Sequence, residues 1–188
     1  MTEHTVSEHP ENPERRASER ADAQRPARFH LAQLNVATLR FPLDDPRMAD
    51  FVAMLEPVNA LADGAPGFVW RLTDEGASDA TGLRPAGGDV IVNCSVWESM
   101  EALWDFTYRS AHLEVMRRRR EWFRRHAEAH LVLWRIPAGH IPSVSEALDR
   151  LALLRERGPS PEAFTFASAC TAQEAFGDRL HDGEPAPL

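Results

Sequence analysis

Around one strand end and the helical stretch after it, the chain collects residues that packing alone does not require. Val96-Trp97-Glu98-Ser99 is followed by Tyr108-Arg109-Ser110-Ala111-His112 and then by Glu121-Trp122-Phe123. His112 stands at helical spacing from Val115, Met116 and Phe123, which sets its imidazole on an apolar helix face. A neutral imidazole there can serve as a general base near neutral pH or ligate a haem iron. The plain alternative is a structural histidine bonded to a backbone carbonyl, and the residues alone leave both open.

Amides form a second set. Gln33 and Asn35 share one face of a strand by its period of two, and Asn93 shares its face with Trp97. Amides are poor strand formers, so each needs a reason to be there. They can line a polar pocket that orients a substrate carbonyl or a bound oxygen; otherwise they face solvent or a wet seam between subunits. The ordinary role of the five tryptophans is core or interface. Trp97 has the better functional case because it ends a strand beside Asn93. Arg109 and Arg71 have the chemistry to pair with a ligand carboxylate, or simply with surface acids. The expected site therefore has His112, Asn35 and Trp97 at its catalytic centre. Gln33, Trp70, Asn93, Tyr108, Arg109 and Trp122 are its expected substrate contacts.

Other patterns read as ordinary. The run Arg117 to Arg120 with Arg124 and Arg125 points in several directions on a helix and reads as a solvated face. His126-Ala-Glu-Ala-His130 has the spacing of a metal pair. It falls where helix gives way to strand, with no third ligand evident, so no metal is expected. Asp105, Ser110 and His112 lie too close in sequence to be read as a triad. The chain contains no Gly-x-Ser-x-Gly elbow, phosphate-cradling loop or dinucleotide fingerprint.

Composition narrows the classes. A chain of 188 residues with 43% hydrophobic content can bury one domain-sized core. A net charge of −8 argues against nucleic acid as a partner. All 21 basic residues are arginine, so lysine Schiff-base chemistry is excluded. Cys94 and Cys170 make no disulfide framework, the start carries no secretory pattern, and no apolar run is long enough to cross a bilayer. A cytoplasmic protein is expected.

Residues 1–27 and 167–188 are too polar to offset their ordering entropy and are expected to be largely disordered, with Phe176 and Leu180 able to dock as a short turn. Between them, residues 28–166 read as one domain. Strands are expected at 29–39, 68–72, 90–97 and 131–136. Helices follow Asp45-Pro46, Ser99 and the capping box Ser143-Val-Ser-Glu146, with a break near Ser110 and a kink at Pro57. The order strand, helix, strand, strand, helix, strand is that of an α+β ferredoxin-like sandwich, here with an added C-terminal helix. Its helices cover one sheet face. The other face, equally apolar in Val90-Ile91-Val92 and Leu131-Val132-Leu133-Trp134, is left for a second copy, so a sheet-to-sheet homodimer is expected.

The ordered motifs Leu31-Ala-Gln-Leu-Asn35, Pro66-Gly-Phe-Val-Trp-Arg71, Asn93-Cys-Ser-Val-Trp97, Tyr108-Arg-Ser-Ala-His112, Arg119-Arg-Glu-Trp-Phe123 and Leu133-Trp134 with Pro137-Ala-Gly-His140 resemble the bacterial "domain of unknown function 3291" family. The resemblance implies the dimeric α+β barrel superfamily, whose members include antibiotic-biosynthesis and haem-degrading monooxygenases, chlorite dismutases and muconolactone isomerases. It implies no single reaction. The resulting expectation is a small-molecule enzyme, monooxygenase-like or isomerase-like and without a cofactor, acting in a cleft between sheet and helices. A non-catalytic ligand-binding dimer is the first alternative. A haem-binding protein is the second, because Asn35, Trp97 and His112 resemble the Asn, Trp and His of haem-degrading relatives, where the His ligates iron; here Trp97 and His112 stand further apart in sequence than in those relatives. A small-molecule ligand, but neither nucleic acid nor membrane, is the expected partner.

Overall fold

The computed structural model describes residues 29–169. The tails expected at 1–27 and beyond 167, with Phe176 and Leu180, lie almost wholly outside the described residues. In chain order the elements are β1 (Phe29–Thr38), α1 (Ala49–Asp63), β2 (Phe68–Arg71), β3 (Val90–Trp97), α2 (Met100–Arg109), α3 (His112–Trp122), β4 (Leu131–Pro137) and α4 (Val144–Arg157).

Local chemistry sets the helix boundaries. Asp45 accepts the Arg47 N–H at 2.9 Å and, with Pro46, opens a short 3-10 turn that leads into α1. Helix α1 runs on through Pro57 without interruption. Ser99 caps α2 by accepting the Ala102 N–H at 3.2 Å. The expected break falls at Ser110, whose extended backbone stops α2. Its hydroxyl donates to the Phe106 carbonyl at 2.5 Å and accepts the His112 N–H at 3.1 Å, so one side chain closes α2 and opens α3. Gly67 has φ of 75°, and a Cβ there would stand 2.7 Å from the Ala102 Cβ. Only glycine lets the turn before β2 seat this closely on α2.

The four strands form one antiparallel sheet in the order β2-β3-β1-β4. Residues pair as Leu31 with Trp97, Gln33 with Ser95, and Asn35 with Asn93 across β1 and β3. Alternation then splits the strands into two faces. Leu31, Gln33, Asn35, Ile91, Asn93, Ser95 and Trp97 look toward α1, α2 and α3. Ala32, Leu34, Val36, Val92, Cys94 and Val96 look the other way, joined by Val132, Trp134 and Ile136 of β4.

That second face has its own cover. Ala147, Leu151 and Leu154 of α4 pack on it, with Ala163 beyond the helix, and Trp70, Leu72 and Leu83 close the side near β2. Trp134 donates its Nε1–H to Glu146 at 3.1 Å, and His140 meets the other Glu146 oxygen at 2.8 Å, which pins the start of α4 to the sheet. The expectation of an uncovered face is thus corrected. The helix read as an addition occupies the place given to a second copy, and little apolar sheet surface is left for two-fold pairing. The outer edge of β4 is partly paired too, because Leu133 and Phe164 exchange both backbone hydrogen bonds, at 2.8 and 2.9 Å.

Candidate functional site

On the other face the helices do not close down on the sheet. A cavity of about 1030 Å3 lies between β1, β3 and the three helices. Phe51, Met54, Leu55 and Val58 of α1, Ile91 of β3, and Val115 and Met116 of α3 give it apolar walls. Its floor is a row of polar strand residues.

Gln33, buried beneath the cavity, donates from Nε2 to Asn93 Oδ1 at 2.7 Å and to Ser95 Oγ at 3.0 Å. The Ser95 hydroxyl also accepts the indole N–H of Trp97 at 2.9 Å. With both lone pairs of Ser95 engaged, its own proton remains for a cavity occupant. Asn35 lines the cavity beside this network and, among the described residues, its amide has no hydrogen-bond partner. The floor therefore combines fixed groups with uncommitted ones, as a ligand site requires.

Aromatic rings connect the floor to the helices. Phe106 stacks on Trp97 at 5.1 Å, and His112 stacks on Phe106 at 4.9 Å. Phe68 meets Trp97 edge-on at 5.3 Å. His112 Nδ1 lies 3.4 Å from the Thr107 carbonyl, which fixes the proton on Nδ1 and leaves Nε2 as a base. Burial lowers the His112 pKa from the ordinary imidazole value, against the opposing pull of that carbonyl. That shift favours the neutral form of the ring, which lines the cavity.

Of the residues singled out by sequence, Gln33, Asn35, Arg71, Asn93, Trp97, Tyr108 and His112 line this one cavity. Trp70, Arg109 and Trp122 do not. Trp70 pairs with Val96 and packs toward the α4 face. Arg109 is largely exposed and pairs with Asp105 at 3.0 Å, one helical turn away. Trp122 is fully buried against Phe51, with the Arg118 guanidinium 4.9 Å above its ring. Sequence reasoning misses Ser95, although it falls between Asn93 and Trp97 on the same strand face. It also misses the cavity-lining arginines Arg119, Arg120, Arg124 and Arg125, with His126 and His130. No residue type alone marks those, because the signal lies in which way the end of α3 and the segment after it face.

His126 and His130 stack at 5.4 Å, and His126 Nε2 accepts the Thr38 N–H at 3.3 Å. Among the described residues no third metal-ligating side chain joins them. Cys94 lies on the opposite face, where burial pushes its thiol up to about 12, so it is inert.

Solved structures align with this chain at low similarity. SnoaB, a cofactor-independent oxygenase from Streptomyces nogalater, is 18% identical, with 61% of this chain and 98% of that chain aligned and a TM-score of 0.42. A mutant form of SnoaB is 15% identical over 60% and 95% of the two chains, with a TM-score of 0.38. The NE2512 protein of unknown function from Nitrosomonas europaea is 13% identical over 63% and 99%, with a TM-score of 0.40. No curated protein matches the chain. The model of the family described as "Domain of unknown function (DUF3291)" matches residues 30–179, most of the sequence, and the chain belongs to that family.

Proposed function

We propose that the cavity is the active site of a small-molecule enzyme, on a ferredoxin-like scaffold whose second sheet face is covered by its own last helix, that begins by removing a proton from its substrate and uses no cofactor. The observation that carries this reading is His112: a neutral imidazole with Nδ1 held by a carbonyl and Nε2 unengaged, in the same cavity as the Gln33–Ser95–Asn93 floor. Nε2 takes a proton from a carbon next to a substrate carbonyl and becomes imidazolium. The electron pair moves onto the carbonyl oxygen, where the Ser95 hydroxyl and the Asn35 amide supply hydrogen-bond donors. Return of the proton to a different carbon is an isomerisation. Attack of the carbanion on dioxygen, with a CH2 becoming C=O and the second oxygen atom leaving as water, is a monooxygenation. Both outcomes share the first step.

That step is testable without the natural substrate. Exchange of the acidic C–H of 2-tetralone with D2O, followed by NMR, should be accelerated by the protein. His112→Gln should slow it by about 100-fold or more, the usual contribution of a positioned general base. Equal exchange with both proteins removes the base. Tight binding without exchange leaves a ligand-binding protein with no chemistry.

A haem reading is favoured by the same atom, because an imidazole with Nδ1 on a carbonyl is oriented as a metal-ligating histidine usually is. Titration with haemin separates the two readings. A Soret shift lost in His112→Ala assigns iron ligation, and an unshifted spectrum removes it.

A further inference from the structure

The charged lining of the cavity is one-sided. In a chain of net charge −8, arginines 40, 71, 119, 120, 124 and 125 line it together with a single acid, Asp79. Asp79 is occupied by Thr81, whose N–H and hydroxyl it accepts at 2.7 and 2.6 Å. Three of the arginines are engaged. Arg71 holds Asp63 at 2.7 and 3.1 Å, Arg40 donates to the Arg120 carbonyl at 2.8 Å, and Arg124 lies 3.7 Å from Asp89. Arg119, Arg120 and Arg125 have no ion pair among the described residues.

Helix α3 carries the contrast within itself. Arg117 and Arg118 do not line the cavity, and both are neutralised. Arg117 faces Glu114 at 3.6 Å, and Arg118 holds Glu121 at 2.8 Å and Asp50 at 2.7 Å. Arg119 and Arg120, the next two residues, line the cavity and have no acid. Placing two arginines in the last turn complements the helix dipole. That does not account for Arg125, which lies beyond the helix, or for the lack of an ion pair at Arg119 and Arg120 where Arg117 and Arg118 each have one. The imidazoles of His126 and His130 stand on the same wall. Burial, the neighbouring imidazole, and Arg119 and Arg155 all oppose a charge on His130. The wall is a positive field at the exposed end of an apolar chamber.

We infer that Arg119, Arg120 and Arg125 form an anion subsite at the mouth of the cavity, and that the substrate is an apolar, ring-sized molecule bearing a carboxylate or phosphate at one end. The apolar body fits among Phe51, Met54, Leu55, Val58 and Met116, while guanidinium forks meet the anion. This inference rests on the cavity being the substrate site, and it adds the substrate's charge.

Two fluorescent probes of one shape test it: 8-anilinonaphthalene-1-sulfonate, with the sulfonate standing for the anion, and its uncharged relative N-phenyl-1-naphthylamine. The triple variant Arg119→Gln/Arg120→Gln/Arg125→Gln should weaken the anionic probe about tenfold or more and leave the neutral one within about twofold. Added salt should weaken only the anionic probe, and only in the unaltered protein. The control Arg109→Gln/Arg117→Gln removes two charges outside the cavity and should change neither probe. Loss of anionic binding in the control equal to that in the triple variant, or none in the triple variant, overturns the subsite. Val58→Trp, which fills the chamber, separates that failure from a failure of the site itself. Both probes should be lost with it, and probes indifferent to it overturn the cavity reading. Circular dichroism of each variant reports that it is folded.

Discussion

The same strands make two unlike surfaces. On the α4 side, Leu34, Val96, Val132, Trp134 and Ala147 are all fully buried, and aliphatic side chains interdigitate down to the one indole N–H that reaches Glu146. On the cavity side, the alternate residues of β1 and β3 are Gln33, Asn35, Asn93 and Ser95, and the helices stand off. Shifting either strand by one residue would exchange the two sets, so register keeps the polar row in the cavity. The difference teaches where this protein spends its stability. One face is packed for cohesion, and the other leaves hydrogen-bonding groups uncommitted at some cost, as binding sites do.

The largest expected effect breaks the cohesive face. Leu151→Ala should cost about 2–5 kcal/mol and Trp134→Ala about 3–5 kcal/mol, each removing fully packed volume. Trp134→Ala also strips Glu146 of a hydrogen-bond donor. Val58→Ala, which trims a wall that already borders empty space, should cost less than about 1.5 kcal/mol, because few packed neighbours are lost. Guanidinium unfolding of the three variants measures this. Equal losses would mean that the chamber is a packed core too.

A smaller contrast lies within the polar floor. Ser95→Ala leaves two buried donors, Gln33 Nε2 and Trp97 Nε1, short of an acceptor, and should cost about 1–3 kcal/mol. Asn35→Ala removes an amide that has no protein partner among the described residues and should change stability by less than about 0.5 kcal/mol while weakening the D2O exchange described above. If the Asn35 variant is the less stable of the two, the division into fixed and uncommitted groups fails.

Much of the fold is legible because its determinants are local. Asp45, Ser99 and Ser143 mark helix starts through hydrogen bonds only two or three residues long. Ser110 marks a break for the same reason. The capping box is only half realised: Glu146 gives its N–H to Ser143, but its carboxylate turns to Trp134 and His140. That choice depends on where α4 lies, which periodicity does not encode, and neither does the sheet face that α4 covers. The site divides in the same way. Gln33, Asn35 and Asn93 betray themselves as amides where strands prefer β-branched and aromatic residues. Phe51, Met54 and Val58 look like any core-facing stripe, and only the stand-off of α1 makes them walls. Trp97 is set apart in sequence only by ending a strand beside Asn93, and nothing in the sequence shows that Trp70 and Trp122 turn to packed regions instead, because tertiary neighbours take them there.

The smallest effect separates the two faces by pH. His112, His126 and His130 all stand on the cavity side with pKa values lowered, in each case chiefly by burial. As the pH falls below the ordinary imidazole value of 6.5, the unfolded chain takes up protons first. Stability present above 6.5 is therefore lost as the pH drops through the lowered values. On the other face, burial of Glu146 works to raise its pKa, but hydrogen bonds from His140 and Trp134 outweigh it, and the net shift is downward from 4.5. Its contribution is present above 4.5 and is lost only below that. Thermal unfolding should thus show a first shallow fall in Tm beginning near pH 6.5 and a second beginning near pH 4.5. His112→Gln/His130→Gln should reduce the first to the share of His126 and leave the second, and Glu146→Gln should remove the second and leave the first. A Tm that is constant from about pH 7 to about pH 5 would show that the cavity histidines are as free to protonate folded as unfolded, and the lowering of their pKa values by burial would go with it.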